Sequence, residues 1–422
     1  MIYVIIQAWI ALLLFCSSVS YAQEQLTLSA ALKRCRENNI ALRAARFEPE
    51  FARADVVSAG LYPNPTFTIS TMFIPSAKYL QDGTSSLDDA NRQDAFQLGQ
   101  EIITAGKLEQ RVAFAEKNVL VRQYSYKELE RNILTQTALQ WLNVAFQKTS
   151  LQIIRDVRAV VDSLVVINRV RLRNEAITEI DLKRTEIIAE QLAFQEQNTQ
   201  QSLQNERVIL RQLVNMPQSV DTPTNDSLFQ TSDARLAVVL DSLVGRTLLS
   251  RPDLQAAQVG VEAASLNARL QDALAFPNVS AGILWNPQNL VPYIGLSVGI
   301  PIPLFDRNQG EIQKSHLQEQ QALATVETLR QQVGVDVSVT YQTYRQQQQN
   351  LTRIERVLTN SQQVLAAVRY NYLRGNTTII DFLEAQRTFY DAKSSYNEAS
   401  FNLKRSLVQL YSAIGLITTL GQ

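Results

Sequence analysis

The chain has 422 residues with 40 Lys and Arg against 40 Asp and Glu, and its Lys and Arg residues form no basic stripe, so charge gives no case for nucleic-acid binding. Its two cysteines and single histidine leave nothing from which to build a disulfide framework or a clustered metal site. Gln-rich sequence interleaved with Leu, Val and Ala, with few Gly and Pro, suits long helices with wetted faces better than a compact enzyme.

Residues 1–22 read as a signal peptide. An apolar core spans residues 5–15, and Ser20 and Ala22 supply small residues at both recognition positions of a cleavage site, so the mature chain is expected to begin at Gln23. Cys16 follows Phe15, a poor fit to a lipid-attachment site. Cys35 is then the one cysteine left, and a lone helical cysteine reads as a small buried hydrophobe. No later stretch approaches the roughly 18 apolar residues of a membrane-spanning helix. The chain is expected to be exported without a helical anchor.

The remainder reads as two copies of one unit, residues 23–215 and 235–422, joined by a linker at 216–234 rich in Asp, Thr, Ser and Pro. NEAITEIDLKRTE (174–186) returns as RGNTTIIDFLEAQ (374–386), 200 residues on, and ALRAARFEPEFARA (41–54) returns as DLQAAQVGVEAASL (253–266). Each copy opens with a helical pattern (29–61 and 241–274). Each continues into a long helix (107–173 and 312–373) with apolar residues at three- and four-residue steps, then a return helix (180–214 and 380–414). At 1.5 Å per residue the long helices would extend about 90–100 Å, which fits a coiled coil or helical barrel.

Before each long helix the period changes from 3.6 to 2, predicting strands at about 65–74, 95–103, 278–285 and 293–302. Phe67, Ile69, Phe96, Leu98, Ile283, Trp285, Ile294 and Leu296 share the apolar phase, and small or polar residues alternate with them. Such strands have the dimensions of outer-membrane barrel strands. The polar connection 75–94 resembles an extracellular loop. Two amphipathic hairpins packed on a soluble helical protein are the alternative. Four strands cannot close a membrane barrel, which needs about eight, so a membrane role requires oligomerisation.

At this point the sequence resembles the TolC-like outer-membrane efflux proteins over nearly the whole mature chain. LTLSAALKRCRENNIALRAAR (26–46) resembles the family's first helix. IPIPLFDRNQGEI (300–312) resembles the subgroup serving heavy-metal (cobalt-zinc-cadmium type) pumps of the resistance-nodulation-division class, and YLRGNTTIIDFLEAQRTFYDAKSSYNEA (372–399) resembles the second hairpin tip and its returning helix. The resemblance implies a mainly α fold with a long α-helical coiled-coil barrel. It also implies a homotrimer whose four strands per chain make a 12-stranded barrel in outer-membrane lipid. The partners it implies are a periplasmic adaptor (membrane fusion protein) and an inner-membrane resistance-nodulation-division transporter. Metal cations or small toxic compounds are the expected substrates, with type I protein secretion or multidrug export as the alternative duct function. A soluble periplasmic coiled-coil scaffold is the alternative of another class.

No catalytic set, cofactor loop or metal-ligand cluster is legible, and His316 reads as a solvated helix residue. By resemblance, Asp381 and Glu384 match acidic positions lining the closed periplasmic entrance. They lie three apart, on one helix face, and three-fold symmetry would crowd like charges there. The first copy carries Asp181 with Arg184, so Arg184–Glu384 ion pairs could tie the entrance instead. Asp381 as a helix-capping residue is compatible with either. Tyr372 matches a latching position, with Asp181 the expected acceptor; otherwise it is an interface aromatic. Asn174, Glu175, Ala176 and Ile177, with Arg374, Gly375, Asn376 and Thr377, would form tips for adaptor docking. Gly375 suits a left-handed position and Glu175 lacks that freedom, so the two tips need not be equivalent.

Overall fold

The computed structural model describes residues 25–80, 82–217, 220–223, 240–288 and 291–419. The expected signal peptide and most of the expected linker lie outside them. In chain order the elements are α1 (Leu28–Asn38), α2 (Ile40–Ala45), α3 (Glu48–Ala59), β1 (Thr66–Phe73), β2 (Arg92–Ile102), α4 (Lys107–Arg173) and α5 (Glu179–Leu213). Then follow α6 (Leu240–Ser250), α7 (Pro252–Leu274), β3 (Val279–Gln288), β4 (Val291–Gly299), α8 (Gln309–Leu373) and α9 (Ile379–Ala413). The chain is mainly helical with one small sheet. Helices α4 and α8 have 67 and 65 residues, each about 100 Å long, and α5 and α9 have 35 each.

The opening helix of each half is interrupted, contrary to the single helices expected at 29–61 and 241–274. Asn39 leaves helical geometry at ψ 127° and turns its side chain into a cap, its Oδ1 accepting from the N–H groups of Ala41 and Leu42. Pro49 stands in the first turn of α3, and Pro252 opens α7. Proline has no N–H and disfavours helical geometry in the residue before it, so Arg251 is extended at ψ 123°.

The chain forms two compact units. One comprises Met1–Arg43, Leu129–Thr247 and Val333–Gln422; the other comprises Ala44–Glu128 and Leu248–Gln332. In the first, Leu28, Leu134, Ala138, Trp141, Val144, Leu210 and Val408 form a closed core. Cys35 is buried there, and burial pushes its thiol pKa up. Residues 220–223, inside the expected linker, are part of this core and not a loose connection. Val220 and Thr222 are buried, the Leu26 N–H donates to the Asp221 carbonyl at 2.8 Å, and Trp141 Nε1 donates to the Leu26 carbonyl at 2.6 Å. The Asp221 carboxylate meets Lys148 and Arg207, each at 2.7 Å.

The second unit holds an antiparallel sheet in the order β1-β2-β3-β4. Its register aligns Phe67, Leu98, Ile283 and Leu296 in one row and Ile69, Phe96, Trp285 and Ile294 in another. On the opposite face Thr66, Gly99, Gly282 and Ser297 align. A Cβ at Gly282 would lie 2.8 Å from both the Leu98 carbonyl and Ser297 Oγ, so that row requires glycine. β2 starts at Arg92, earlier than expected, because Asp94 accepts from Thr71 Oγ1 at 2.8 Å and from Arg92 Nε at 3.1 Å. β4 ends at Gly299, short of 302, because Pro301 has no N–H to continue a ladder. The apolar rows are exposed, and the free edges of β1 and β4 have no partner strand among the described residues. No described helix is long and apolar enough to cross a membrane.

Burial opposes ionisation of Asp221, but Lys148 and Arg207 outweigh it and hold the carboxyl below the ordinary range. Its folded pKa is depressed, so the contribution is fully present above about pH 4 and is lost as pH falls through the folded value. Asp221→Asn leaves two partly buried cations short of a counter-charge, with an expected cost of about 3 kcal/mol. Thermal unfolding of the two proteins at neutral pH and at low pH checks this, and the gap should narrow at low pH.

Candidate functional site: the paired helix turns

The turn from α4 to α5 and the turn from α8 to α9 are built alike. Glu175 takes a left-handed φ of 55° and Gly375 one of 78°. The N–H of Ala176 donates to the Arg171 carbonyl and that of Asn376 to the Asn371 carbonyl, both at 2.9 Å, closing each helix with the same C-terminal motif. The two tips therefore share one backbone geometry. Glu175 adopts the glycine geometry, at a backbone cost of about 1–2 kcal/mol, because the motif satisfies carbonyls that would otherwise be left open.

Each return helix begins with a reciprocal capping box. Thr178 Oγ1 accepts from the Asp181 N–H at 3.2 Å while Asp181 Oδ2 accepts from the Thr178 N–H at 3.2 Å. Thr378 and Asp381 repeat this at 3.2 and 3.1 Å, and Thr377 Oγ1 adds a bond to Asp381 Oδ2 at 2.8 Å. These donors stabilise the ionised form, and both aspartates are held below the ordinary carboxylate range, chiefly by their threonine hydroxyls. The capping role is thus real for both, and Thr377 belongs to a cap. Asn174, Glu175 and Ala176 are exposed, as are Arg374, Gly375 and Asn376, while Ile177 is half-buried. Arg374 lies over the Tyr370 ring at 4.1 Å.

Tyr372 is 4% exposed. Its ring stacks on Phe382 with centroids 5.2 Å apart, within a cluster that includes Leu164 and Ile379, and the Arg171 guanidinium lies 4.6 Å from its centroid. Its hydroxyl donates to Asn168 Oδ1 at 3.1 Å, so the acceptor within the chain is Asn168 and not Asp181. Asn168 Nδ2 donates to Thr185 Oγ1 at 3.0 Å, and Thr185 Oγ1 donates to the Asp181 carbonyl at 2.9 Å. Burial, first, pushes the Tyr372 hydroxyl pKa up. This chain of bonds ties α8 to α4 and α4 to α5 through a buried polar line. Asn168 and Thr185 were missed in the sequence. The legible signal was asymmetry: 200 residues on stand Val368 and Ala385, while Tyr372 answers to Leu172.

Arg184 and Glu384 line one groove of about 770 Å³ with Ile187, Ile380 and Leu383. Among the described residues no ion pair joins Arg184 to Glu384 within one chain, so that expected tie is not made there. Asp381 has its carboxylate turned to its own cap, so Asp381 and Glu384 do different things despite their shared helix face. Among the described residues no three His, Cys, Asp or Glu side chains gather as a metal site. His316 is half-exposed, 3.7 Å from Asp272 and 3.9 Å from Glu319.

Tyr372→Phe strands the buried Asn168 oxygen, with an expected loss of about 1–3 kcal/mol. Adding Asn168→Val, the residue type found 200 positions on at Val368, should recover most of that loss, as thermal unfolding of the four proteins of the cycle would show.

The description "outer membrane efflux protein" fits residues 243–416 as a family match. Over 94% of its length the chain is 23% identical to the pyoverdine export outer membrane protein OpmQ of Pseudomonas putida, covering 87% of that protein. It is 25% identical to the cation efflux system protein CusC of Escherichia coli K12 over 44% of this chain and 43% of CusC. A crystal structure of CusC superposes with a TM-score of 0.79 at 19% identity, covering 92% of this chain and 91% of that one. Residues 243–416 thus match the outer membrane efflux protein family, and the fold over nearly the whole chain resembles that of CusC.

Proposed function

We propose that the chain is one subunit of a homotrimeric efflux channel, in which three four-stranded sheets close a twelve-stranded barrel in the outer membrane and the long helices form a periplasmic tunnel. The observation that carries this is the sheet: an exposed apolar face and two edges, β1 and β4, that have no partner strand among the described residues. Unpaired backbone groups are not tolerated in lipid, and a closed barrel removes both edges. A soluble scaffold would leave that face in water, which argues against it. The matched lengths of α4 with α8 and α5 with α9 support reading the chain as two copies of one unit.

In this reading the channel receives substrate from a periplasmic adaptor and an inner-membrane resistance-nodulation-division transporter, the adaptor docking at the tips around Glu175 and Gly375. The likeness to a cation efflux protein favours cations as cargo and that to a pyoverdine export protein favours pyoverdine, and no residue among those described selects between them. Asp381, Glu384 and Asp181 contribute negative charge at the entrance, moderated by Arg184. Asp381 can cap its helix and still serve, since capping engages only its Oδ2. Tyr372, through Asn168, holds the second hairpin against the first.

Light scattering of the detergent-extracted protein should give the mass of three chains; a detergent-free monomer would refute the shared barrel. In planar bilayers Asp381→Asn with Glu384→Gln should lower cation preference, and unchanged selectivity would refute an acidic entrance.

A further inference from the structure

The two hairpins pair in one common register. Adding 214 to the numbers of β1 and 200 to those of β2 turns Thr66 opposite Gly99 into Ser280 opposite Gly299, and Phe73 opposite Arg92 into Pro287 opposite Pro292. Every β1–β2 pair has its β3–β4 counterpart in this way. A side-chain bond is repeated too: Thr66 Oγ1 donates to the Gly99 carbonyl at 3.4 Å, and Ser280 Oγ to the Gly299 carbonyl at 3.0 Å.

Between the hairpins, the β2–β3 seam sets Leu98 opposite Ile283 and Gly99 opposite Gly282. It ends in a polar joint where the strands meet the helices. Lys107, 3% exposed at the start of α4, donates from Nζ to the Phe276 carbonyl at 2.5 Å and to Asn278 Oδ1. Thr104 Oγ1 donates to the Pro277 carbonyl at 2.6 Å, and Asn278 Nδ2 to Glu101 Oε1 at 2.6 Å. In the same numbering Phe276 and Asn278 answer to Tyr62 and Asn64, and Lys107 answers to Arg307. Tyr62 and Asn64 are exposed, and among the described residues no bond reaches the Tyr62 carbonyl or the Asn64 side chain. Arg307 uses Nε on the Pro303 carbonyl at 3.1 Å, which leaves its two Nη groups without a partner among the described residues. Tyr62 and Asn64 precede β1 and Arg307 follows β4, the opposite edges of the sheet, so the two groups belong to different seams.

We propose that β4 joins β1 of a neighbouring chain by a copy of the β2–β3 seam, with Gly299 opposite Thr68, Val298 opposite Ile69, and Arg307 donating to the Tyr62 carbonyl and Asn64 of that neighbour. This rests on the barrel reading above and deepens it. The strand faces agree with it: Ile294, Leu296 and Val298 fall opposite Phe73, Thr71 and Ile69, so the exposed face of one sheet runs into that of the next. A slip by one residue would turn the neighbour's apolar rows to the other face. The occupant is a second copy of the chain, because the pattern to be completed is the chain's own β2–β3 seam. Where the copy departs, the departures shorten it. Pro65, Pro301 and Pro303 stand in place of Val279, Glu101 and Ile103 and cannot donate to a ladder, which is why β4 stops at Gly299. Leu304 stands in place of Thr104, so Arg307 is the polar tie left to the joint, and its charge strengthens the bonds it makes.

Oxidation of Ile69→Cys/Val298→Cys in detergent should give linked dimers and trimers on a denaturing gel. Phe67→Cys/Val298→Cys and Thr71→Cys/Val298→Cys, two residues out of register, should stay at the mass of one chain. The single substitutions are controls for Cys35, which is buried. A ladder from an out-of-register pair in place of the expected one would overturn the register. Three chains by light scattering with no ladder from any pair would overturn the seam and leave the trimer standing; one chain would refute the barrel itself. For the joint, Asn64→Asp should raise the temperature at which the trimer separates in detergent, and Arg307→Gln should remove that gain. An equal gain with and without Arg307 would overturn its contact with Asn64.

Discussion

Backbone hydrogen bonding at the sheet edges is the constraint on which the rest depends. Every interior strand pair here is satisfied, from Thr66 opposite Gly99 to Ser280 opposite Gly299, yet among the described residues β1 and β4 each keep one open side. In water such edges invite aggregation, and in lipid each unmet group costs several kcal/mol. Among the described residues the sheet stops at four strands, and its apolar rows are exposed. In the proposed trimer one edge completes the next.

The same economy governs the helix turns. A turn at the end of a long helix leaves carbonyls open, and the next helix starts with open N–H groups. Both turns here solve the two problems between Arg171 and Asp181 or Asn371 and Asp381, with a left-handed closure at Glu175 or Gly375 and a Thr–Asp box at 178/181 or 378/381. Rigid turns of this kind suit a surface presented to a partner. The two hairpins differ behind their turns, where Tyr372, Asn168 and Thr185 place a polar line beside an apolar cluster. A buried polar line specifies one arrangement more strictly than apolar packing does, because any slip leaves its members unpaired. In the proposed channel this makes the second hairpin the one whose position is set relative to the first.

Much of the fold was legible because it rests on period. The alternation of Phe67, Ile69, Phe96 and Leu98, and the three- and four-residue steps of 107–173, follow from backbone geometry alone, so local sequence was enough for four strands and long helices. The family likeness was carried by short ordered segments such as IPIPLFDRNQGEI, and Thr–Asp spacing at the turns was equally local. What the sequence could not settle was which distant groups meet. The break at Asn39 depends on a side chain finding its own backbone and the Leu213 carbonyl, and the 220–223 segment is held by Lys148, Arg207 and the Leu26 N–H. Tyr372 choosing Asn168 over Asp181, and Arg184 standing apart from Glu384, were decided by side-chain reach across packed helices. Periodicity fixes which face a residue occupies; only three-dimensional packing fixes which partner it finds there.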